Sequence, residues 1–525
     1  PQNQGKVVFF DVDGNFINQV NVGAMPDMLT FNHAGNKVLV ACEGEPNNAY
    51  TQDPEGEVCV IDLSPGVANI TQANVTFIGF TQYNGQENAL RAQGIRIFGP
   101  GASAAQDFEP EYITVSDDDN TAWVALQENN ALAVINLQTN QVTNLIPLGS
   151  KNHNVFGNGF DISDQTNAIN LANFPVKGLY MPDAITHIDI GGTPYILTAN
   201  EGDAREYGPL NELVRLSSGS YVLDPTLYPH ATAMKSNLFM GRLNVLNTIG
   251  DTDGDGDFDE IYCLGSRSFS IWNASTGALV YDSGDDFEQI IANHPVFSQL
   301  FNASNTAVAA VAKNRSDDKG PEPEGVVVAE INGNKYAFVS LERVGGAMIY
   351  NINNPAAPYF VSYANNRDFA TNGPDRGAEG MILITAANSP NGNDIIILAN
   401  EISSTLTIYQ VNSCQQQSSV SVTPSGSTTI CQGSNVVFST PSNPNLTYLW
   451  FNNGTPIAGA TNNAYTANAS GNYSLQFNNN MMTCSGYTAP IQVTVNSLPT
   501  VTANANNTSV CQGQQVTLTG GGAQT

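Results

Sequence analysis

The chain has 525 residues, room for several domains and a large core. Charged residues make up only 12 %, and acids outnumber bases 47 to 18, for a net charge of −29. That balance repels nucleic acid and anionic membrane and favours cations, and no stretch reaches the roughly 18 apolar residues of a membrane span. The chain opens abruptly at Pro1, without Met or signal peptide, and stops in a Gly-rich phrase at Thr525. It reads as a processed or truncated piece of a longer protein.

Short strands separated by Gly, Asn and Asp turns fill residues 6–412, with no long amphipathic helix. One phrase recurs along them. Its first half is an acid entering an apolar strand: PDMLTF (26–31), PEYITV (110–115), PDAITHI (182–188), PEGVVV (323–328) and AEGMILI (378–384). Its second half is an apolar strand ending in glutamate: VLVACE (38–43), AWVALQE (122–128), YILTANE (195–201), AFVSLE (337–342) and IIILANE (395–401). A third strand usually follows. Five units of about four antiparallel strands predict an all-β protein, a β-propeller.

The first strand of a propeller blade lines the channel and the second runs antiparallel to it. The start of one and the end of the other therefore share one end of the blade. This pairs Asp27 with Glu43, Glu111 with Glu128, Asp183 with Glu201, Glu324 with Glu342, and Glu379 with Glu401. Ten carboxylates at one channel mouth require cations or suffer raised pKa values. Hard divalent ions with oxygen ligands fit, several Ca²⁺ first among them.

Several of the few basic residues sit beside these acids: Arg205, Arg315, Lys319, Arg343 and Arg376, with Arg267 as a further member. Metals with guanidinium groups make a site for a multiply charged anion, phosphate above all. These basic residues are the candidate catalytic groups, holding charge that develops in phosphoryl transfer. The same residues could equally neutralise neighbouring carboxylates in ion-pair networks.

DTDGDGDFD (251–259) places Asp251, Asp253, Asp255 and Asp259 at positions one, three, five and nine, with Gly256 at six. That spacing wraps one Ca²⁺, with the carbonyl of Asp257 as a further ligand. Position twelve is Tyr262 rather than Glu, so this is not a full EF-hand. Its expected role is structural, pinning an insertion between strands two and three of one blade. No P-loop, HExxH or GxSxG occurs. The five His are scattered, without Cys partners at zinc spacing, and only His187, inside an inner strand, stands out.

The phrases ACEGEPNN, DFEPEYITV, LTANEGDARE, DTDGDGDFDE, GSRSFSIW, NRSDDKGPEPEGVVV, LERVGG and ANEISSTLTIYQV resemble the choice-of-anchor I domain over residues 5–411. Similar sequences include mesenchyme-specific cell-surface glycoproteins linked to biomineral formation and bacterial proteins labelled alkaline phosphatase. The resemblance implies a seven-bladed propeller occupying residues 1–412, with five whole blades here and its N-terminal part preceding this numbering. KVVFFDVDGNFINQVNV (6–22) then looks like the outer hairpin of a blade. A more distant likeness to calcium-dependent propeller phosphatases implies metals at the channel mouth, a transition metal such as iron among them. Cys42 stands where Asn200 and Asn400 stand in their phrases; it is expected to pair with Cys59 in a disulfide or to ligate a metal.

Beyond residue 412 the composition shifts. Residues 413–420 read as a linker, 421–497 as an immunoglobulin-like sandwich and 498–525 as the start of a second copy, because TICQGSNVVFST (429–440) recurs as SVCQGQQVTLTG (509–520). The order Cys431, Trp450, Tyr473, Cys484 predicts a Cys431–Cys484 bridge between sheets, with Cys511 unpartnered. Tandem domains of this kind resemble stalks of secreted and surface proteins of Bacteroidota. Two functions follow. One is a secreted or cell-surface calcium-binding propeller hydrolysing a small phosphorylated substrate. The other is a non-enzymatic protein of adhesion, fibre assembly or mineral binding, holding a surface ligand or self-associating through its stalk. Neither involves nucleic acid or a direct membrane span.

Overall fold

A computed structural model of the chain describes residues 2–306, 310–368, 373–411, 420–443, 446–479, 484–498 and 501–522. It divides into two compact units, Pro1–Ser413 and Cys414–Thr525. Of the expected linker, all but Val420 lies outside the described residues.

The first unit opens with an antiparallel hairpin, Gln4–Phe10 against Phe16–Ala24. The Asp11 carboxylate turns it by accepting the backbone N–H groups of Asp13 and Asn15. Five antiparallel sheets follow. Blade 1 pairs Pro26–Phe31, Lys37–Cys42, Glu57–Asp62 and Val75–Gly79; blade 2 pairs Pro110–Val115, Thr121–Leu126, Ala131–Asn136 and Gln141–Pro147. Blade 3 pairs Ile185–Ile190, Thr193–Ala199, Phe269–Asn273 and Leu279–Asp282; blade 4 pairs Pro323–Ile331, Asn334–Leu341, Ala347–Asn351 and Tyr359–Ala364. Blade 5 has three strands, Ala378–Ile384, Ile395–Asn400 and Thr405–Gln410.

Each blade buries one apolar face on the next, and one side-chain cluster fills each interface. Leu39 and Val58 meet Ile113 and Val124 between blades 1 and 2. Trp123 and Ile146 meet Ile185 and Trp272 between blades 2 and 3. Leu197 and Ile271 meet Val326 and Val339 next, and Ala329 and Phe338 meet Met381 and Leu398 last. Large side chains buried this way contribute roughly 1.5–3 kcal/mol each. The chain thus folds as consecutive propeller blades, with the first strands side by side.

The expected insertion leaves blade 3 after Ala199 and rejoins it at Phe269. It pairs Leu213–Arg215 with Asn244–Leu246. Leu216, Tyr221, Leu243 and Ile261 pack there against Phe160 and Phe174.

The second unit stacks two sheets. One joins Thr423–Pro424, Val436–Ser439 and Ala464–Ala467; the other is built mainly on Leu446–Asn452, Gly471–Asn479 and Ile491–Asn496. Trp450 is buried between them against Phe438, rings 5.9 Å apart, and the Tyr473 hydroxyl donates to the Ala469 carbonyl at 3.1 Å. The expected Cys431–Cys484 bridge does not form. Cys431 is an exposed free thiol on a short strand paired with Ile491–Asn496. Ile491–Asn496 joins the Gly471 end of Gly471–Asn479, whereas Cys484–Tyr487 pairs in the same sheet with its Asn479 end, so the two positions are not set across the core from each other. The Cys484 side chain lies outside the described residues.

The Cys42–Cys59 disulfide does not form either: both are buried free thiols. The register sets Cys42 opposite Glu57 and Cys59 opposite Val40, a diagonal pair. Diagonal Cα atoms lie about 7–8 Å apart, beyond the roughly 4.4–6.8 Å that a disulfide bridges. Contact with the Cys59 thiol, then burial, pushes the Cys42 thiol far up, which disfavours the thiolate a metal would need.

Candidate metal centre at the channel mouth

Local backbone geometry aims the acids. In blades 1, 2, 4 and 5 the ladder slips between Pro26 and Leu29, Pro110 and Ile113, Pro323 and Val326, and Ala378 and Met381. Such a bulge re-aims side chains out of the pairing, and it carries Asp27, Glu111, Glu324 and Glu379. Two residues before the acid, Met25, Met181, Glu322 and Gly377 adopt left-handed φ of 52°, 41°, 52° and 72°. In three blades that residue's carbonyl accepts the N–H of the second acid: Met25 from Glu43 at 3.0 Å, Glu322 from Glu342 at 2.8 Å, Gly377 from Glu401 at 2.8 Å. In blade 3 the Met181 carbonyl takes the Gly202 N–H, next to Glu201, at 3.0 Å. A backbone bond thus ties each of these acid pairs.

The pairs converge on one cavity of about 470 Å³. Asp27, Glu43, Glu111, Asp183, Glu201, Glu324, Glu342, Glu379 and Glu401 line it, drawn from all five blades, together with Asp203. Glu128 is buried and does not line it, yet its charge acts on Glu43 and Glu111. Burial first, then neighbouring acids, pushes Glu43 up to about 9. Burial likewise holds Asp183 at about 8, with Glu201, Asp27 and Glu379 adding to it and a hydrogen bond with Glu324 opposing it. Glu128, Glu342 and Glu379 rise to about 7, mainly through burial. Asp27 and Glu201 rise, and Glu111 and Glu324 go well above the carboxylate range, burial leading again. One carboxylate oxygen each of Glu111, Glu128 and Glu324 is buried without a hydrogen-bond partner. Glu201, Glu324 and Glu342 each offer an oxygen, all within 4.8 Å of one another, the spacing of a shared cation.

Of the candidate basic residues, only Lys319 and Arg343 line the cavity. Both are tied to acids. Lys319 contacts Glu201 and lies 3.1 Å from Glu322; Arg343 lies 2.9 Å from Glu322 and 3.1 Å from Glu342. Arg315 pairs with Glu322 and Asp318, both at 2.5 Å. Glu322 is the hub: burial alone would raise its carboxyl, but Lys319, Arg315 and Arg343 bring it down to about 2. Arg205 is buried away from the cavity on Asp107 and Glu109, both at 2.9 Å. Arg267 is buried on Glu288 at 2.6 Å, and Arg376 donates to the carbonyls of Asn305 and Gly373. Glu322 and Asp203 escaped the sequence reading; the PEPEG doublet was the available signal for the first.

In the 251–259 loop, Asp251, Asp253 and Asp255 come together, while Asp257 and Asp259 group with Asp224, a residue the spacing could not indicate. Asp251 accepts the N–H groups of Gly254 at 2.7 Å and Gly256 at 3.1 Å.

The profile of the choice-of-anchor I domain matches residues 1–355. The chain belongs to the choice-of-anchor I domain family. The match stops short of blade 5, so Glu379 and Glu401 extend the acidic mouth beyond the matched part of this choice-of-anchor I chain. It is 26 % identical over 319 residues to the mesenchyme-specific cell surface glycoprotein of Strongylocentrotus purpuratus, covering 53 % of this chain and 40 % of that one. It is 33 % identical over 124 residues to gigasin-3a of Magallana gigas, covering 23 % of this chain and 43 % of that one. The chain thus spans about two fifths of the length of these curated relatives. Solved structures that align with it include the WD40 domain of Toxoplasma gondii coronin, 7 % identical, covering 77 % of this chain and 61 % of that one with a TM-score of 0.33. The β-propeller domain of Myceliophteria thermophila Cps50 (Swd1) is 10 % identical, covering 74 % and 98 % with a TM-score of 0.21.

Proposed function

We propose that this is an extracellular propeller whose channel mouth binds divalent cations, Ca²⁺ first. One observation carries the reading: buried, unpartnered carboxylate oxygens of Glu111, Glu128 and Glu324 amid acids with raised pKa values. Such a crowd is costly without a counter-charge. Lys319, Arg315 and Arg343 are spent on the blade 3 and blade 4 side, around Glu322, Glu201 and Glu342. Ions would be held by Glu201, Glu324 and Glu342, and by Glu43, Glu111 and Asp183. The name of the sea-urchin relative supports an extracellular place, and among the described residues no helix is long and apolar enough to cross a membrane.

A second reading, phosphoester hydrolysis, is favoured by Lys319 and Arg343 lining the same cavity as the acids. Bound metals would polarise a phosphoryl oxygen and activate water; Lys319 and Arg343 would orient the anion. Metal analysis of the purified protein, with hydrolysis of a chromogenic phosphomonoester and phosphodiester in Ca²⁺ and in chelator, tests both. Bound Ca²⁺ with chelator-sensitive turnover supports hydrolysis. Bound Ca²⁺ without turnover leaves a cation-dependent display protein of adhesion or mineral binding. No bound metal refutes both.

A further inference from the structure

The far ends of blades 1, 2 and 3 bring together two histidines and three aspartates that the acidic mouth does not use. His33 lies on the turn after Pro26–Phe31, and Asp117 and Asp119 on the turn after Pro110–Val115. His187 and Asp189 lie on Ile185–Ile190. These turns are at the opposite end of the hairpins from Asp27, Glu43, Glu111 and Glu128.

His187 is the unusual member. Its side chain is 2 % exposed and stacks on Trp123, rings 5.1 Å apart and 8° from parallel. Neither ring nitrogen has a hydrogen-bond partner. Nδ1 instead stands 3.5 Å from Asp117 Oδ1, and Nε2 stands 3.9 Å from Asp189 Oδ1. The ring lines a cavity of about 480 Å³ shared with Asp117, Trp123 and Asp189. From the other side, His33 Nε2 stands 3.9 Å from the same Asp117 oxygen. The second His33 nitrogen, Nδ1, meets Asp119 Oδ1 at 3.3 Å. Asp119 is itself fixed by the backbone N–H groups of His33 and Ala34, at 2.8 and 2.9 Å.

We propose that His33 Nε2, His187 Nδ1 and the Asp117 carboxylate form a zinc-type site, separate from the calcium-type mouth. Imidazole selects zinc and similar borderline ions over Ca²⁺, whereas an all-carboxylate ring does the reverse. In tetrahedral zinc with bonds of about 2.0–2.2 Å, neighbouring ligand atoms lie roughly 3.3–3.6 Å apart. The two edges through Asp117, at 3.5 and 3.9 Å, are close to that. The third edge is open: the two histidine nitrogens lie more than 4.8 Å apart, so a shared ion requires His33 and Asp117, whose side chains are 54 % and 64 % exposed, to turn toward His187. His33 has a carboxylate behind it, Asp119 on Nδ1 at 3.3 Å, the arrangement that orients histidine ligands toward zinc; behind His187, Asp189 stands 3.9 Å from Nε2, beyond hydrogen-bond distance. The cavity leaves room for water as the fourth ligand.

The test is a titration of the whole chain with Zn²⁺ in excess Ca²⁺, and with Co²⁺ for its visible absorption. One ion per chain is expected to bind despite Ca²⁺, with tetrahedral Co²⁺ bands. His33→Ala and Asp117→Asn, both on exposed turns, should each weaken that site at least about tenfold while leaving Ca²⁺ binding unchanged. Removing a carboxylate of the second shell, in Asp119→Asn, should cost about 10–100-fold. Zinc that fails to bind, or that binds wild type, His33→Ala and Asp117→Asn alike, overturns the proposal.

Discussion

Glu324 holds a buried carboxylate oxygen without a partner, so Glu324→Gln should act in two opposed directions. Without metal at pH 8 the variant is stabilised, by about 1–3 kcal/mol, because a neutral amide neither buries a charge nor has to take up a proton from solution on folding. With Ca²⁺ it loses a ligand, and its stabilisation by the ion shrinks. Thermal melts in chelator and in Ca²⁺ check both signs. Arg205→Ala behaves differently. It strands Asp107 and Glu109, whose side chains are 0 % and 2 % exposed, and should destabilise the fold by about 3–5 kcal/mol. Calcium binding by the folded fraction should stay as in wild type, which calorimetry can read. The acids were legible in the sequence because strand alternation and hairpin spacing fix which end of a blade they reach. The basic residues were not. Sequence proximity of Arg205 to Glu201 says nothing about Asp107 and Glu109, which come from a distant segment.

The blade hairpin is the element that carries the design. Its strands could be read from repeated apolar runs, but the bulge at each first acid could not, since register slips depend on how neighbouring blades pack. The same limit explains the cysteines. Cys42 and Cys59 were expected on adjacent strands, as they are, yet the diagonal register that leaves their thiols in contact but unbridged appears only with the ladder formed. Reducing agent should therefore leave the melting temperature of the propeller unchanged, within about 1 °C. The inserted 251–259 loop gathers acids in two groups. If calcium pins it, Asp253→Asn with Asp255→Asn should speed proteolytic nicking within the insertion in Ca²⁺ buffer, leaving the remaining blades intact on a gel.

For the whole molecule, the raised carboxyls set a pH dependence. A carboxyl whose pKa is raised by folding binds its proton more tightly folded than unfolded, so stability falls as pH climbs from the unfolded value to the folded one. Glu128, Glu342 and Glu379 at about 7, Asp183 at about 8 and Glu43 at about 9 place that loss between ordinary carboxylate values and about pH 9. Glu322, lowered to about 2, contributes fully above the unfolded glutamate range and adds no slope there. Melting temperatures in chelator should fall steadily across this window, and Ca²⁺ should flatten the slope. The propeller itself was legible because five repeated phrases encode five repeated sheets. The second unit was legible only as strands around Trp450, since its expected bridge depended on where Cys431 falls in the sheet.

The most direct measurement is calorimetric titration of Ca²⁺ into chelator-treated wild type, Glu324→Gln and Glu111→Gln at neutral pH. Calcium bound at the mouth predicts at least one class of sites in wild type that weakens roughly tenfold or more in each variant, as ligand charge is removed. Identical isotherms for all three proteins would mean that the carboxylates at the mouth do not hold the ion.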